Sequence, residues 1–214
     1  VEQVEKYGFP SYLYSSDDRG MAILLYGKLG GLELGYGSDL DIVFVYRDHG
    51  MTKGKHAISH QEFYTGLAQR IIAILQTNTS LGKLYLLDTR LRPSGSSGLL
   101  VTTRQSYASY LFQKAWLWEH QALVRARILG HDDLKDWFIS LRKEILCQPR
   151  SQNTCRQQIV EMREKVRKYK SNRRQGFDLK QGPGGIVDIE FMIQYFVLAF
   201  SHQMPQLTDW TDNI

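Results

Sequence analysis

The 214 residues carry 27 Lys and Arg against 22 Asp and Glu, a formal charge of +5, and are 43% hydrophobic with four tryptophans. That is enough apolar material for one good-sized core, or for one domain and part of a second, and it excludes a disordered chain. No apolar run approaches a membrane span, and the positive balance favours anionic partners without separating nucleic acid from ATP or an acidic protein. The charged start Val1-Glu2-Gln3-Val4-Glu5-Lys6 does not read as a signal peptide. With Thr211-Asp212-Asn213-Ile214 at the other end, it suggests an excised piece. Cys147 and Cys155 lack metal-ligand partners at useful spacing and read as free thiols in a reducing cytoplasm.

Residues 1–20 read as a helix end and a loop with Pro10 and Gly20. A strand is expected at about 21–27, followed by the turn-rich Gly27-Lys28-Leu29-Gly30-Gly31. A second strand is expected over 39–46, then a polar loop over 47–58. Ser59-His60-Gln61-Glu62 has the form of a capping box, and Phe63, Leu67, Ile71 and Ile74 behind it keep helical spacing to about Thr77. Leu84 to Arg92, ended by Pro93, reads as a strand with Asp88, Arg90 and Arg92 on one face. Ser97 to Thr102 reads as another, short strand. From Arg104 onward the pattern is helical, with Tyr107, Leu111, Trp118 and Leu123 as apolar positions, and the theme continues over 136–146 and 157–169. Trp116, Trp118, Glu119 and Arg125 suggest a packed helix with a buried ion pair. Gly182-Pro183-Gly184-Gly185 breaks the chain before a largely apolar helix, Val187 to Phe200. The order of elements implies an α+β fold, a mixed sheet with flanking helices followed by a mostly helical segment. A boundary near 150 divides it into residues 1–150 and 151–214.

The chemistry concentrates in Gly37-Ser38-Asp39-Leu40-Asp41. Residues two apart on a strand point the same way, so Asp39 and Asp41 project together, and two carboxylates that close repel unless a cation lies between them. Mg²⁺ suits such a pair because it takes one or two carboxylates plus substrate phosphate oxygens. The Gly37-Ser38 turn lets backbone approach a phosphate. Asp88 is a third strand acid, able to complete a two-metal site with ions roughly 3.5–4 Å apart and to act as general base. Together these residues point to nucleotidyl transfer. Arg90 and Arg92 have two readings, phosphate contact through their guanidinium groups or salt bridges on the sheet. Lys28 lacks the P-loop spacing and is a weaker candidate for the triphosphate. Asp188 and Glu190 read either as acids at a helix start or as accessory groups near the metals. The basic run Arg163, Lys165, Arg167, Lys168, Lys170, Arg173 and Arg174 is a solvated helix face or, more sharply, a nucleic-acid contact.

With these motifs in view, the chain resembles the glutamine synthetase adenylyltransferase family, whose two catalytic halves are nucleotidyltransferases of the DNA polymerase β type. The resemblance runs from about Met21 to Ile214. It rests on Gly27 to Gly31, Glu33 to Asp41, Asp88 to Gly95 and Gly184 to Phe191. Glu33-Leu34-Gly35-Tyr36, Arg92-Pro93-Ser94-Gly95, Trp118 to Arg127 and Asp188-Ile189-Glu190 resemble the C-terminal, adenylylating half rather than the deadenylylating one.

The resemblance implies a cytoplasmic enzyme of nitrogen metabolism that moves AMP from ATP to a tyrosine hydroxyl of glutamine synthetase. Two Mg²⁺ ions would lie at Asp39, Asp41 and Asp88, with Gly37, Ser38, Arg90, Arg92 and Lys28 at the nucleotide. PII signal protein would be a partner, and neither nucleic acid nor membrane would be. The alternatives are the phosphorolytic half of the same family, a related enzyme acting on RNA, and a degenerate module that binds nucleotide or PII without turnover.

Overall fold

The computed structural model describes residues 2–13, 19–78, 80, 82, 83, 85–170 and 178–210. Two compact units divide the chain. The first comprises residues 1–114, 125–141 and 212–214, and the second comprises residues 115–124 and 142–211.

The first unit opens with helix α1 (Glu2–Tyr7) and is organised by a mixed sheet. Strand β2 (Leu40–Tyr46) is its centre. Strand β1 (Met21–Leu25) runs antiparallel along one edge of β2, pairing Met21 with Tyr46 and Leu25 with Ile42. The other edge takes two short parallel strands in succession: β3 (Leu87–Asp88) against Leu40 and Asp41, and β4 (Val101–Thr103) against Phe44 to Tyr46. Such an enclosed strand is expected to be apolar nearly throughout, and β2 is. Only Asp41 interrupts the run, and it faces away from the main core.

Alternation along β2 sorts its side chains. Leu40, Ile42, Phe44 and Tyr46 join Val101 in a cluster with Phe63, Tyr64 and Ala68 of helix α3 (His60–Leu75). Asp41, Val43 and Val45 therefore point to the opposite face. Helix α3 starts where its sequence says it should. The Ser59 hydroxyl accepts from the Glu62 backbone N–H at 3.1 Å, and the Glu62 carboxylate accepts from the Ser59 backbone N–H at 2.9 Å.

Three expectations need correction. The strand expected over residues 84–92 shrinks to Leu87–Asp88 (Leu84 lies outside the described residues). The cause is local: Asp88 Oδ1 accepts from the Arg90 backbone N–H at 2.8 Å, which turns the chain out of the sheet. Asp88, Arg90 and Arg92 thus share no strand face. Second, the stretch from Arg104 is not wholly helical. Helices α4 (Arg104–Gln113) and α5 (Leu117–Leu123) are followed by strand β5 (Arg127–Leu129), which pairs antiparallel with β1 through Leu25–Arg127 and Ile23–Leu129. Three residues are too few to show a period, so this edge strand had no sequence signal. Third, Trp116 and Trp118 are exposed rather than packed. Arg125 pairs with Glu33, and the buried Glu119 carboxylate caps α5 by accepting from the Trp116 backbone N–H at 2.8 Å.

Helix α2 (Gly27–Gly30) occupies the expected turn after β1, and helix α6 (Asp132–Leu146) follows β5. The second unit contains α7 (Gln152–Lys170) and α8 (Ile186–Phe200). Helix α8 buries Val187, Val197, Leu198 and Ala199 but leaves Ile189, Ile193 and Phe196 exposed, so it is only partly the buried helix expected. Cys147 and Cys155 are free thiols. Among the described residues no helix is long and apolar enough to cross a membrane.

Replacing the cap at α3, Ser59→Ala, removes both hydroxyl hydrogen bonds, the one accepted from the Glu62 N–H and the one donated to the Glu62 carboxylate at 2.7 Å, and should lower unfolding free energy by about 1 kcal/mol. Urea denaturation checks this as a lower midpoint at unchanged slope.

Candidate active site

Parallel pairing of β2 and β3 sets Asp41 directly beside Asp88 as register partners. Asp39 precedes Asp41 by two residues and its charge reaches the same carboxyl. Burial, then the charge of Asp88, then that of Asp39 push the Asp41 carboxyl above the ordinary range for an aspartate. The side chain is half-buried, so water screens this crowding only in part.

Asp88 answers the same crowding with an internal cation. The Arg90 guanidinium engages its carboxylate through both Nε, at 2.8 and 3.0 Å, and Nη2. That bidentate contact holds the Asp88 carboxyl below its usual range. Asp88 is largely shielded, at 19% side-chain exposure, whereas Arg90 is 77% exposed. The arginine therefore lies over the carboxylate from the solvent side. Among the described residues no three Asp, Glu, His or Cys side chains are set to hold a metal ion as they stand.

Lys28 and Ser38 meet: Lys28 Nζ donates to Ser38 Oγ at 3.4 Å, and the same oxygen accepts from the Gly35 N–H at 3.2 Å. Gly37 takes φ +73°, which an L side chain rarely adopts, and open space surrounds it. Arg92 turns to its own loop. Its Nε donates to Gly98 O at 3.2 Å, its Nη1 to Thr89 O and Oγ1 at 2.9 and 2.8 Å, and its Nη2 to Ser96 O at 3.1 Å. It is a brace for residues 89–98.

The sequence profile of the glutamate-ammonia ligase adenylyltransferase family matches residues 1–137, which hold all of these groups. The chain belongs to this family. A profile of the GlnD PII-uridylyltransferase family matches residues 153–213. The chain is also similar to the bifunctional glutamine synthetase adenylyltransferase/adenylyl-removing enzyme of Vibrio parahaemolyticus, at 50% identity across 98% of this chain. It spans 23% of that relative's length.

In this adenylyltransferase-family chain, Asp188 and Glu190 lie on α8 in the second unit. The Asp188 carboxylate accepts from Arg163 Nε at 2.5 Å, from Arg167 Nη2 at 3.3 Å and from the Gly184 N–H at 2.7 Å. It fastens α7 to the glycine-rich turn ahead of α8. These contacts take Arg163 and Arg167 out of the solvated basic face; Arg173 and Arg174 of that run lie outside the described residues.

The sequence reading had Gly27 only as a turn and motif residue and missed its place beside Asp41. Gly27, at φ +54°, packs so closely on Asp41 that a Cβ would come 2.4 Å from the carboxylate oxygen Oδ2. Only a residue without a side chain lets this carboxyl keep its place. A glycine that follows a strand and faces an acidic neighbouring strand is the signal, but it appears only once β1 and β2 are paired.

Gly27→Ala should leave the circular dichroism spectrum unchanged and weaken Mg²⁺-dependent ATP binding at least about tenfold in calorimetry, by displacing Asp41. The Asp41 shift also has a sign. A carboxyl raised above its unfolded value contributes stability only below the unfolded value and loses it as pH rises through the folded one. In EDTA, Asp41→Asn should therefore be more stable than wild type at pH 7. Thermal melts across pH should show that advantage shrinking as pH falls into the carboxylate range.

Proposed function

We propose that this chain carries the adenylylating activity of its family, transferring AMP from ATP to a tyrosine hydroxyl of glutamine synthetase and releasing pyrophosphate. The observation that carries this reading is the in-register adjacency of Asp41 and Asp88, with Asp39 adding its charge to the same carboxyl. Support comes from the family match and from the relative's printed name, which includes both an adenylyltransferase and an adenylyl-removing activity. Glu33-Leu34-Gly35-Tyr36 and Arg92-Pro93-Ser94-Gly95 favour the first of the two.

The residues fit divalent magnesium. Asp41, pushed up by burial and by two neighbouring acids, is short of positive charge, and Arg90 already pairs with the adjacent Asp88. Asp39, Asp41 and Asp88 would hold the metal, with Asp88 exchanging its arginine partner to do so. Bound Mg²⁺ would supply charge neutralisation for the triphosphate and make a tyrosine hydroxyl, ordinarily near pKa 10, a better nucleophile.

The chain's own groups do the rest. Once released by Arg90, Asp88 is placed to accept the tyrosine proton. The new bond joins the tyrosine oxygen to the α-phosphorus, and the bond to the bridging oxygen of pyrophosphate breaks. Lys28 and Ser38, already in contact, lie beside the open Gly37 turn, where β- and γ-phosphate oxygens approach backbone N–H groups. The exposed Arg90 guanidinium would exchange Asp88 for phosphate oxygens, which form the same bidentate contact. Arg92 keeps the loop behind Asp88 in shape. Catalysis on this account is positioning and electrostatics. The reading places the reaction in the cytoplasm, with PII signal protein as a regulatory partner.

Incubating the full chain with labelled ATP, Mg²⁺ and purified glutamine synthetase tests the proposal. Wild type should label the acceptor. Asp39→Asn and Asp41→Asn should each cut the rate by about 100-fold or more with the fold intact. Near-normal labelling by either variant contradicts the metal assignment. Phosphate-dependent release of AMP from modified glutamine synthetase, without labelling, would assign the phosphorolytic reaction instead.

A further inference from the structure

Two of the motifs that resemble the adenylylating half meet in the structure, and the chemistry above gives neither a role. Glu33-Leu34-Gly35-Tyr36 follows α2, and the stretch from Trp118 to Arg127 runs through α5 into β5. The Glu33 carboxylate accepts from Arg125 Nη1 at 2.9 Å, across 92 residues of sequence. Two residues further on, Arg127 Nε donates to Gly30 O at 2.9 Å. Arg127 is itself seated by the pairing of β5 with β1, opposite Leu25. The loop after α2 is therefore clasped at Gly30 and at Glu33 by one short stretch of chain, and all of these contacts lie within the first unit.

A run of hydrogen bonds leads from this clasp to the candidate phosphate-binding groups. The Glu33 N–H donates to Lys28 O at 2.8 Å, so the residue that Arg125 grips also fixes the backbone of Lys28. Lys28 Nζ donates to Ser38 Oγ at 3.4 Å, and the Gly35 N–H reaches the same oxygen at 3.2 Å. Leu32, between Lys28 and Glu33, is held at φ +58°, a conformation that leucine rarely adopts. Such a backbone persists only where its surroundings enforce it, and the contacts of Glu33 directly after it do so. The bridge itself is partly exposed, with 20% of the Arg125 and 35% of the Glu33 side chain accessible. An ion pair in that setting adds little to the stability of the whole fold, so its effect falls on the loop it holds.

We propose that Arg125 and Glu33 are positioning residues for the nucleotide: their bridge sets the loop after α2 so that Lys28 and Ser38 present their donors together to the triphosphate. This rests on the reading of Lys28, Ser38 and Gly37 as the triphosphate side of the site. Neither Arg125 nor Glu33 touches the nucleotide on this account; both act through the backbone of Lys28. Position and charge give opposite signs at Glu33. A carboxylate near a polyanion repels it, so a Glu33 acting by charge alone would weaken ATP binding, and its removal would tighten it. A Glu33 acting by position does the reverse, because without it the donors on Lys28 and Ser38 lose their alignment.

The test is calorimetry of ATP and of AMP binding in Mg²⁺ to the full chain, for wild type, Glu33→Ala, Arg125→Ala, the two combined, and Lys28→Ala. Glu33→Ala and Arg125→Ala should each weaken ATP binding about fivefold or more. The combined variant should lose no more than about twofold beyond either one, because a single bridge is removed in all three. Affinity for AMP, which lacks the β- and γ-phosphates, should stay within about twofold of wild type, and the melting midpoint within about 3 °C. A Glu33→Ala chain that binds ATP as well as wild type, or better, overturns the proposal. So do additive losses in the combined variant, and so do equal losses for ATP and AMP. Lys28→Ala separates this inference from the reading beneath it. If Lys28→Ala leaves ATP affinity unchanged, the triphosphate reading fails and the positioning role with it. If it weakens ATP binding while the bridge variants do not, the positioning role alone is refuted.

Discussion

Crowding of like charge at the head of two parallel strands is the constraint on which this molecule turns. Asp41 and Asp88 face each other because β2 and β3 are paired in that register, and Asp39 adds a third charge. A fold under selection for stability alone would separate these acids or replace one. Here the central strand keeps them, and burial together with the neighbouring charges raises the Asp41 carboxyl. The sheet carries this burden because the opposite face of β2 packs without a polar interruption against α3, through Ile42, Phe44 and Tyr46. The odd-numbered side differs only at its start, where Asp41 stands ahead of the buried Val43 and Val45.

Two local devices hold the crowding in place. Gly27 leaves no room for any side chain beside Asp41, so the acid keeps its position without a hydrogen-bonding partner having to fix it. Arg90 covers Asp88 with a positive charge from the solvent side. Arg92, its neighbour on the same loop, does something else. With its donors spent on three backbone carbonyls and a hydroxyl, it shapes the loop.

Much of this was legible before any coordinates. The alternation through Asp39, Asp41 and the apolar run behind them located the central strand, and the Ser59–Glu62 pattern located the start of α3, because both signals are local and periodic. Asp88 was legible as an acid inside an apolar run, but the length of its strand was not. The turn that ends it depends on Asp88 bonding the Arg90 backbone, a choice that two-residue alternation does not register. Strand β5 was lost for a different reason: its three residues belong to the sheet only through pairing with β1. The glycine beside Asp41 and the pairing of Glu33 with Arg125 are contacts between distant parts of the chain, and single-sequence patterns carry no distances. The apolar face of β2 was readable from composition, whereas the partner of each charge was not.

The most direct measurement is an NMR pH titration of the Asp41 side-chain carboxyl in the wild-type chain, first in EDTA and then with saturating Mg²⁺ and ATP. The account predicts a midpoint above the ordinary aspartate range without metal, falling below that range once the cation and nucleotide are bound. An ordinary midpoint that Mg²⁺ and ATP leave unmoved would contradict it.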